Sequence, residues 1–220
     1  MPLHVVFDLD GTLVDSLPGI AEGVNRALQS LGLPTHPREA VRGMIGRGAA
    51  NLCAAAIGYA DASLAPEGEL KAIHDAFRRE YPRCWQGDEF THPYPGIPGM
   101  LERLASAGAR LAVLSNKPHE VTLPMVKQLF PTVPFDPIMG FSERYPRKPD
   151  PAALLAIAEL WGVPAEQVTL VGDSRFDAMT AENASCRLFL LDWGYGGGDL
   201  SRWQRSLVSG TEELLSRLGG

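Results

Sequence analysis

The spacing of apolar residues changes along the chain and predicts which segments are strands and which are helices. The run 4–7 is short, apolar and rich in β-branched residues, as in a strand buried on both faces of a parallel sheet. The next segment has apolar residues at the i, i+3, i+4, i+7 spacing of a helix, and Gly32 marks its end. These apolar positions are Leu17, Ile20, Ala21, Val24, Ala27, Leu28 and Leu31.

Beyond this helix the patterns fall into two regions, separated by the stiff turn sequence at 92–96. Before that turn the patterns are helical throughout, with an interruption at Gly46-Arg47-Gly48. The helices predicted there are 38–44, 49–57 and 67–85. After it, short β-rich runs alternate with helical segments. The strands predicted there are 111–114, 138–141, 168–171 and 188–191, and the helices are 97–107, 118–129, 151–161 and 175–184.

Strands that alternate with helices imply right-handed crossovers and a parallel sheet. We therefore predict an α/β fold with a doubly wound parallel sheet. An α-helical domain is inserted after the first strand. The predicted core consists of residues 1–15 and 93–220, and the predicted insertion is 16–92.

Composition and charge narrow the classes of partner. A formal net charge of −6 in 220 residues argues against a broad nucleic-acid interface, which needs clustered Lys and Arg. A small metabolite is the expected partner. The first apolar run is too short for a signal peptide or a membrane span, so we expect a cytoplasmic protein with no membrane partner. We expect a monomer or homodimer. The three cysteines are widely spaced, which favours reduced thiols over disulfides or a zinc site.

Polar residues collect where four predicted strands end, which is where open α/β sheets bind ligands. The four clusters are Asp8-Leu9-Asp10-Gly11-Thr12, Ser115-Asn116, Lys148-Pro149 and Gly172-Asp173-Ser174-Arg175-Phe176-Asp177. Taken singly, each could be a turn or a helix cap. However, Asp8 and Asp10 would repel at a buried strand end unless a cation or a proton is present. Mg²⁺ prefers such oxygen ligands and takes one or two carboxylates. Asp8 and Asp173 fit that role.

The four clusters, in this order and spacing, resemble the motifs of the haloacid dehalogenase superfamily over essentially the whole chain. The resemblance implies a Rossmann-like core, a helical cap and a magnesium-dependent phosphatase acting on small phosphate monoesters. It implies that Asp8 is the nucleophile, which forms an aspartyl-phosphate, and a metal ligand. Asp10 would protonate the leaving alcohol and then activate water, while its main-chain carbonyl binds the metal.

The resemblance also implies roles for the remaining polar residues. Ser115 would hydrogen-bond a phosphoryl oxygen, and Lys148 would balance the charge of nucleophile and phosphate. Asp173 and Asp177 would belong to the metal site. Asp177, one helical turn after Asp173, would hold metal-bound water or orient Lys148.

Three further residues are predicted to contact the substrate. Thr12 and Asn116 belong to the first two clusters. Arg47 lies in the insertion, where the cap of this family usually carries a specificity loop; a plain turn is the alternative there.

The branch of the superfamily is indicated by Asp10, because the dehalogenases resemble this motif without an acid at that position. Asn116-Lys117-Pro118, the segment 94–98 and the insertion most resemble the phosphoglycolate phosphatases, so 2-phosphoglycolate is a candidate substrate. Phe176 stands where relatives often have Asn, which weakens the transfer of substrate identity. A β-phosphoglucomutase-like phosphotransferase and a non-catalytic metabolite-binding relative are the alternatives.

Overall fold

The computed structural model describes residues 2–87, 89–196 and 199–219, which form two compact units. The first unit spans Met1–Val14 and Pro93–Gly220, and the second spans Asp15–His92. The assignment of these units as a catalytic core and a cap stays a prediction.

Strands and helices alternate in the first unit, whereas helices dominate the second. In chain order the elements are β1 (His4–Phe7), β2 (Val14–Asp15), α1 (Leu17–Ser30), α2 (Arg38–Arg42), α3 (Ala49–Ala56), α4 (Glu67–Trp85), β3 (His92–Pro93), α5 (Ile97–Ser106), β4 (Arg110–Pro118), α6 (His119–Leu129), β5 (Phe135–Phe141), α7 (Ala152–Trp161), β6 (Val168–Gly172), α8 (Arg175–Ala184), β7 (Arg187–Leu191), β8 (Leu207–Val208) and α9 (Thr211–Gly219). Short 3₁₀ helices occur at Ala62–Leu64, Ala165–Gln167 and Ser201–Ser206.

The first unit is built on a six-stranded sheet in the order β5-β4-β1-β6-β7-β8. Every pair of neighbouring strands is parallel. The central strand β1 aligns His4 with Arg110 of β4 on one side and with Val168 of β6 on the other. The predicted α/β class with a doubly wound parallel sheet is confirmed.

The buried side chains of the first unit explain why the apolar runs become central strands. Val5, Val6 and Phe7 of β1 are fully buried, as expected for a strand covered on both faces. On one face, α7 contributes Leu154 and Ile157 to the same apolar cluster as Val6. A buried Leu or Ile costs about 2–5 kcal/mol when it is cut to Ala, so this layer holds the ends of the strands in place.

The second unit depends on a close approach of α1 and α4. A Cβ placed on Gly23 of α1 would lie 3.0 Å from the Tyr81 ring and 3.2 Å from the Phe77 ring. These two rings are stacked with their centroids 4.9 Å apart. The absence of a side chain at Gly23 therefore lets the two helices pack through aromatic rings.

Two features of the sheet differ from the sequence prediction. The sixth strand, β8, was not predicted because it is only two residues long. The final helix, α9, was also not predicted. In addition, β4 continues through Ser115, Asn116 and Lys117 to Pro118, where it still pairs with β5. Within the residues that the structure describes, no helix is long and apolar enough to cross a membrane.

Candidate active site

Three aspartates meet where β1 and β6 end. Asp8 follows β1, and its backbone N–H donates to the Val171 carbonyl of β6 at 2.8 Å. Asp173 follows β6, and Asp177 lies in the first turn of α8. One carboxylate oxygen from each lies within 4.8 Å of the others, and all three residues are buried. Parallel strands bring their carboxyl ends to one edge, so residues far apart in sequence form one cluster.

Burial disfavours the charged forms of the carboxylates in this cluster. It raises the pKa of Asp8 to about 7, against the opposing charge of Lys148. Burial also raises the pKa of Asp173 to about 8, and the charges of Asp177 and Asp8 add to this effect. Three hard oxygen donors with excess negative charge are the ligand chemistry that Mg²⁺ prefers. Asp8, Asp173 and Asp177 therefore fit a divalent cation.

Lys148 is the buried cation beside these aspartates. Its Nζ lies 2.9 Å from Asp8 Oδ1 and 2.6 Å from Asp177 Oδ1. Burial by itself would lower the pKa of Lys148, but the charges of Asp177 and Asp8 outweigh it, so this pKa is raised. Lys148 is thus held as an ammonium ion next to the predicted nucleophile.

The other oxygen of Asp177 is bound within its own helix. Asp177 Oδ2 accepts hydrogen bonds from the Ser174 N–H at 3.1 Å and from Ser174 Oγ at 2.7 Å. The first of these bonds is one half of the capping box at the start of α8. Of the two roles anticipated for Asp177, this geometry favours the orientation of Lys148. A role at the metal stays a prediction.

Asn116 lies against the backbone of Lys148. Its Nδ2 donates to the Lys148 carbonyl at 3.0 Å, and its Oδ1 accepts from the Lys148 N–H at 2.8 Å. Both polar ends of this amide therefore hold the segment that carries Lys148, and the predicted substrate contact of Asn116 stays a prediction.

Asp173 lies in a space bordered by two glycines. A Cβ on Gly11 or on Gly194 would overlap the Asp173 side chain. Its oxygens accept hydrogen bonds from Thr12 Oγ1 at 3.1 Å and from the Tyr195 N–H at 2.7 Å. The structure therefore places Thr12 against Asp173, and its predicted substrate contact stays a prediction.

Asp10 has a partner that sequence reasoning missed. The Nζ of Lys117 lies 3.0 Å from both carboxylate oxygens of Asp10, and the Lys117 and Asp10 side chains are 6% and 13% exposed. The signal that could have revealed Lys117 is its position two residues after Ser115, which places both on one face of an extended strand.

Ser115 and Arg47 are the remaining residues that the sequence predicted for the site. Ser115 is buried, and its Oγ accepts from the Lys117 N–H at 3.3 Å. Arg47 lies in the second unit, where its guanidinium donates to the Ala60 carbonyl at 2.6 Å and lies 3.5 Å from Asp61 Oδ2. Its predicted contact with substrate stays a prediction.

Comparison with known proteins identifies the family. The sequence pattern of the haloacid dehalogenase-like hydrolases matches residues 5–191. The chain belongs to this family. The region of this hydrolase that matches the family covers most of the chain and contains all four polar clusters.

Relatives of this hydrolase support the same assignment. The phosphoglycolate phosphatase of Pseudomonas syringae pv. tomato is 38% identical over 199 residues, which cover 90% of this chain and 72% of the relative. That of Vibrio cholerae is 35% identical, covering 89% and 86%. A crystal structure from Haemophilus somnus, described as a predicted phosphoglycolate phosphatase, superposes with a TM-score of 0.87 at 28% identity, covering 98% of this chain and 97% of that one. The phosphoglycolate phosphatase-like resemblance and the prediction of a phosphoric monoester hydrolase are confirmed.

The raised pKa values predict how a divalent cation should stabilise the protein. The pKa values of Asp8 and Asp173 rise from 3.8 to about 7 and about 8 on folding, so their contribution to stability is lost as the pH rises through those values. Protons compete with Mg²⁺ at low pH. Melting curves with and without MgCl₂ should therefore show a larger gain in Tm at about pH 8.5 than at about pH 6, with about 2–4 °C for each kcal/mol. An equal gain at both pH values would contradict this electrostatic description.

A second prediction separates the two roles of Asn116. Asn116→Ala removes both hydrogen bonds to the Lys148 backbone, so we expect the free energy of unfolding to fall by about 1–3 kcal/mol. We also expect kcat to fall more than KM rises. Asn183→Ala is the matched control, because Asn183 donates to the neighbouring Pro149 carbonyl from an exposed position. A rise in KM alone would show that Asn116 contacts the substrate.

Proposed function

We propose that this hydrolase is a magnesium-dependent phosphatase that cleaves small phosphate monoesters through an aspartyl-phosphate on Asp8. The observation that carries the proposal is the buried cluster of Asp8, Asp173 and Asp177 with Lys148 bound to two of them. The names of the relatives support 2-phosphoglycolate as the substrate.

In the first half of the reaction, a carboxylate oxygen of Asp8 attacks phosphorus and the bond to the leaving oxygen breaks. Lys148 offsets the charge that gathers on nucleophile and phosphoryl group. Asp8, Asp173 and the Asp10 carbonyl would hold the metal, which, when bound, supplies a positive charge to the phosphoryl oxygens. Ser115 would donate to one of those oxygens.

Asp10 would donate a proton in the first half of the reaction and accept one in the second half. Its acid form gives a proton to the leaving alkoxide, which departs as the alcohol. The resulting carboxylate then takes a proton from the water that attacks phosphorus and releases inorganic phosphate from Asp8. This cycle returns Asp8 and Asp10 to their starting states.

The third prediction tests the nucleophile. Asp8→Asn replaces the carboxylate by a poor nucleophile and a weaker magnesium ligand, so phosphate release from 2-phosphoglycolate should fall to background. Asp10→Asn should instead slow the reaction with the covalent intermediate detectable by intact-protein mass spectrometry. Beryllium fluoride with magnesium should inhibit the wild type. Normal turnover by Asp8→Asn would refute the mechanism.

Product analysis distinguishes the two alternatives. A phosphotransferase would convert a sugar monophosphate through a bisphosphate with little inorganic phosphate released. A non-catalytic relative would release none from any phosphate ester, even with magnesium present. We expect inorganic phosphate in an amount equal to the alcohol produced.

We further propose that Arg47 contacts the carboxylate of the substrate. Hydrogen bonds from a charged guanidinium contribute about 1.5–3 kcal/mol, which equals about 10–150-fold in kcat/KM. Arg47→Ala should therefore lower kcat/KM by that factor on 2-phosphoglycolate and only slightly on p-nitrophenyl phosphate. Arg79→Ala, which removes an exposed cation of α4, is the control. Equal losses on both substrates would mean that Arg47 is structural.

A further inference from the structure

A buried lysine that the mechanism above does not use lies beside Asp10. Lys117 belongs to the last part of β4, and its Nζ is 3.0 Å from each oxygen of the Asp10 carboxylate. Equal distances to both oxygens mean that the ammonium ion opposes the carboxylate head-on. A side chain held at two points in this way keeps a single orientation.

The backbone of Lys117 is itself fixed. Its N–H donates to Ser115 Oγ at 3.3 Å, and its carbonyl accepts from Thr122 Oγ1 at 3.1 Å. On the other side, a Cβ on Gly140 of β5 would lie only 2.7 Å from the Lys117 carbonyl oxygen. The strand, the start of α6 and β5 therefore determine together where this ammonium lies.

Lys117 and Asp10 lie near the carboxyl ends of two neighbouring strands of the sheet. Phe7 of β1 pairs with Val113 of β4. Asp10 lies in the turn after β1 and Lys117 in the last part of β4, so both lie at the same edge of the sheet. Lys148 has a different place, because it contacts Asp8 and Asp177. The two buried lysines thus serve different carboxylates.

We propose that Lys117 is a positioning residue that holds the Asp10 carboxylate toward the leaving-group oxygen. The terminal torsion of an aspartate has a broad, roughly two-fold preference, so the orientation of Asp10 needs an external partner. Proton transfer requires the acid within hydrogen-bond reach of the leaving oxygen. The inference rests on the proposed role of Asp10 and assigns the residue that makes this role effective.

Leaving groups of different basicity test the proposal. An alkoxide needs the proton from Asp10, whereas p-nitrophenolate departs readily without it. We expect Lys117→Met to lower kcat/KM on 2-phosphoglycolate and on glycerol 1-phosphate by about 10–100-fold, the scale of a 1 Å misplacement. The loss on p-nitrophenyl phosphate should be at least about tenfold smaller. Lys127→Met, which removes an exposed lysine of α6, should change none of the three.

A double-mutant cycle separates positioning from other effects. If Lys117 acts through Asp10, then Lys117→Met in the Asp10→Asn background should cause a loss of less than about threefold, because the two changes remove one interaction. Lys117→Gln, which keeps most of the side-chain length, is the second variant if Lys117→Met does not fold. Melting curves establish that each variant is folded.

Each of the other possible results of these measurements would contradict one part of the proposal. Equal losses on all three substrates would make Lys117 structural, and losses that multiply in the double mutant would show that it acts independently of Asp10. A raised KM confined to 2-phosphoglycolate would mean that Lys117 contacts the substrate carboxylate. Wild-type protein that releases no phosphate from any of the three with magnesium would overturn the proposed function, and the Lys117 proposal with it.

Discussion

The site depends on one electrostatic constraint: Asp8, Asp173 and Asp177 are buried together, with Lys148 contacting two of them. An uncompensated charge in a protein interior costs several kcal/mol. The surroundings reduce this cost, because Thr12 and the Tyr195 N–H donate to Asp173 and Ser174 donates to Asp177. The excess negative charge that remains raises the pKa values of Asp8 and Asp173, and either protons or a divalent cation can offset it.

The residues around this cluster contact its members and hold them in position. Asn116 binds the backbone of Lys148 at two points, so a residue of β4 determines the place of a cation from a distant loop. Gly11 and Gly194 leave the volume that the Asp173 side chain fills. Preorganised charge of this kind needs little rearrangement during phosphoryl transfer. The stability of the sheet and the proposed chemistry are therefore linked through the same strand ends.

The sequence predicted the fold more completely than it predicted the contacts between residues of the site. The apolar runs of β1 and β6 predicted central strands because a strand buried on both faces must be apolar throughout. β8 was not predicted because two residues are too few to show a pattern of apolar positions. Polar residues at the strand ends identified the cluster, but the hydrogen bonds of Asn116 to Lys148 and of Thr12 to Asp173 were not predicted. Lys117 was noted only as part of the family resemblance, and its contact with Asp10 was not predicted because Lys117 lies beyond the apolar run that defined the strand.

Alternating apolar runs and helical spacings by themselves determined the α/β class, and the order of the four polar clusters determined the family, because both are local or ordered features of the chain. Only the tertiary structure decided which polar groups pair. Lys117 and Asp10 are 107 positions apart, and they meet because β4 lies next to β1 and the two strands end at the same edge of the sheet. Register between distant strands depends on the packing of the whole sheet, which no single segment of sequence encodes.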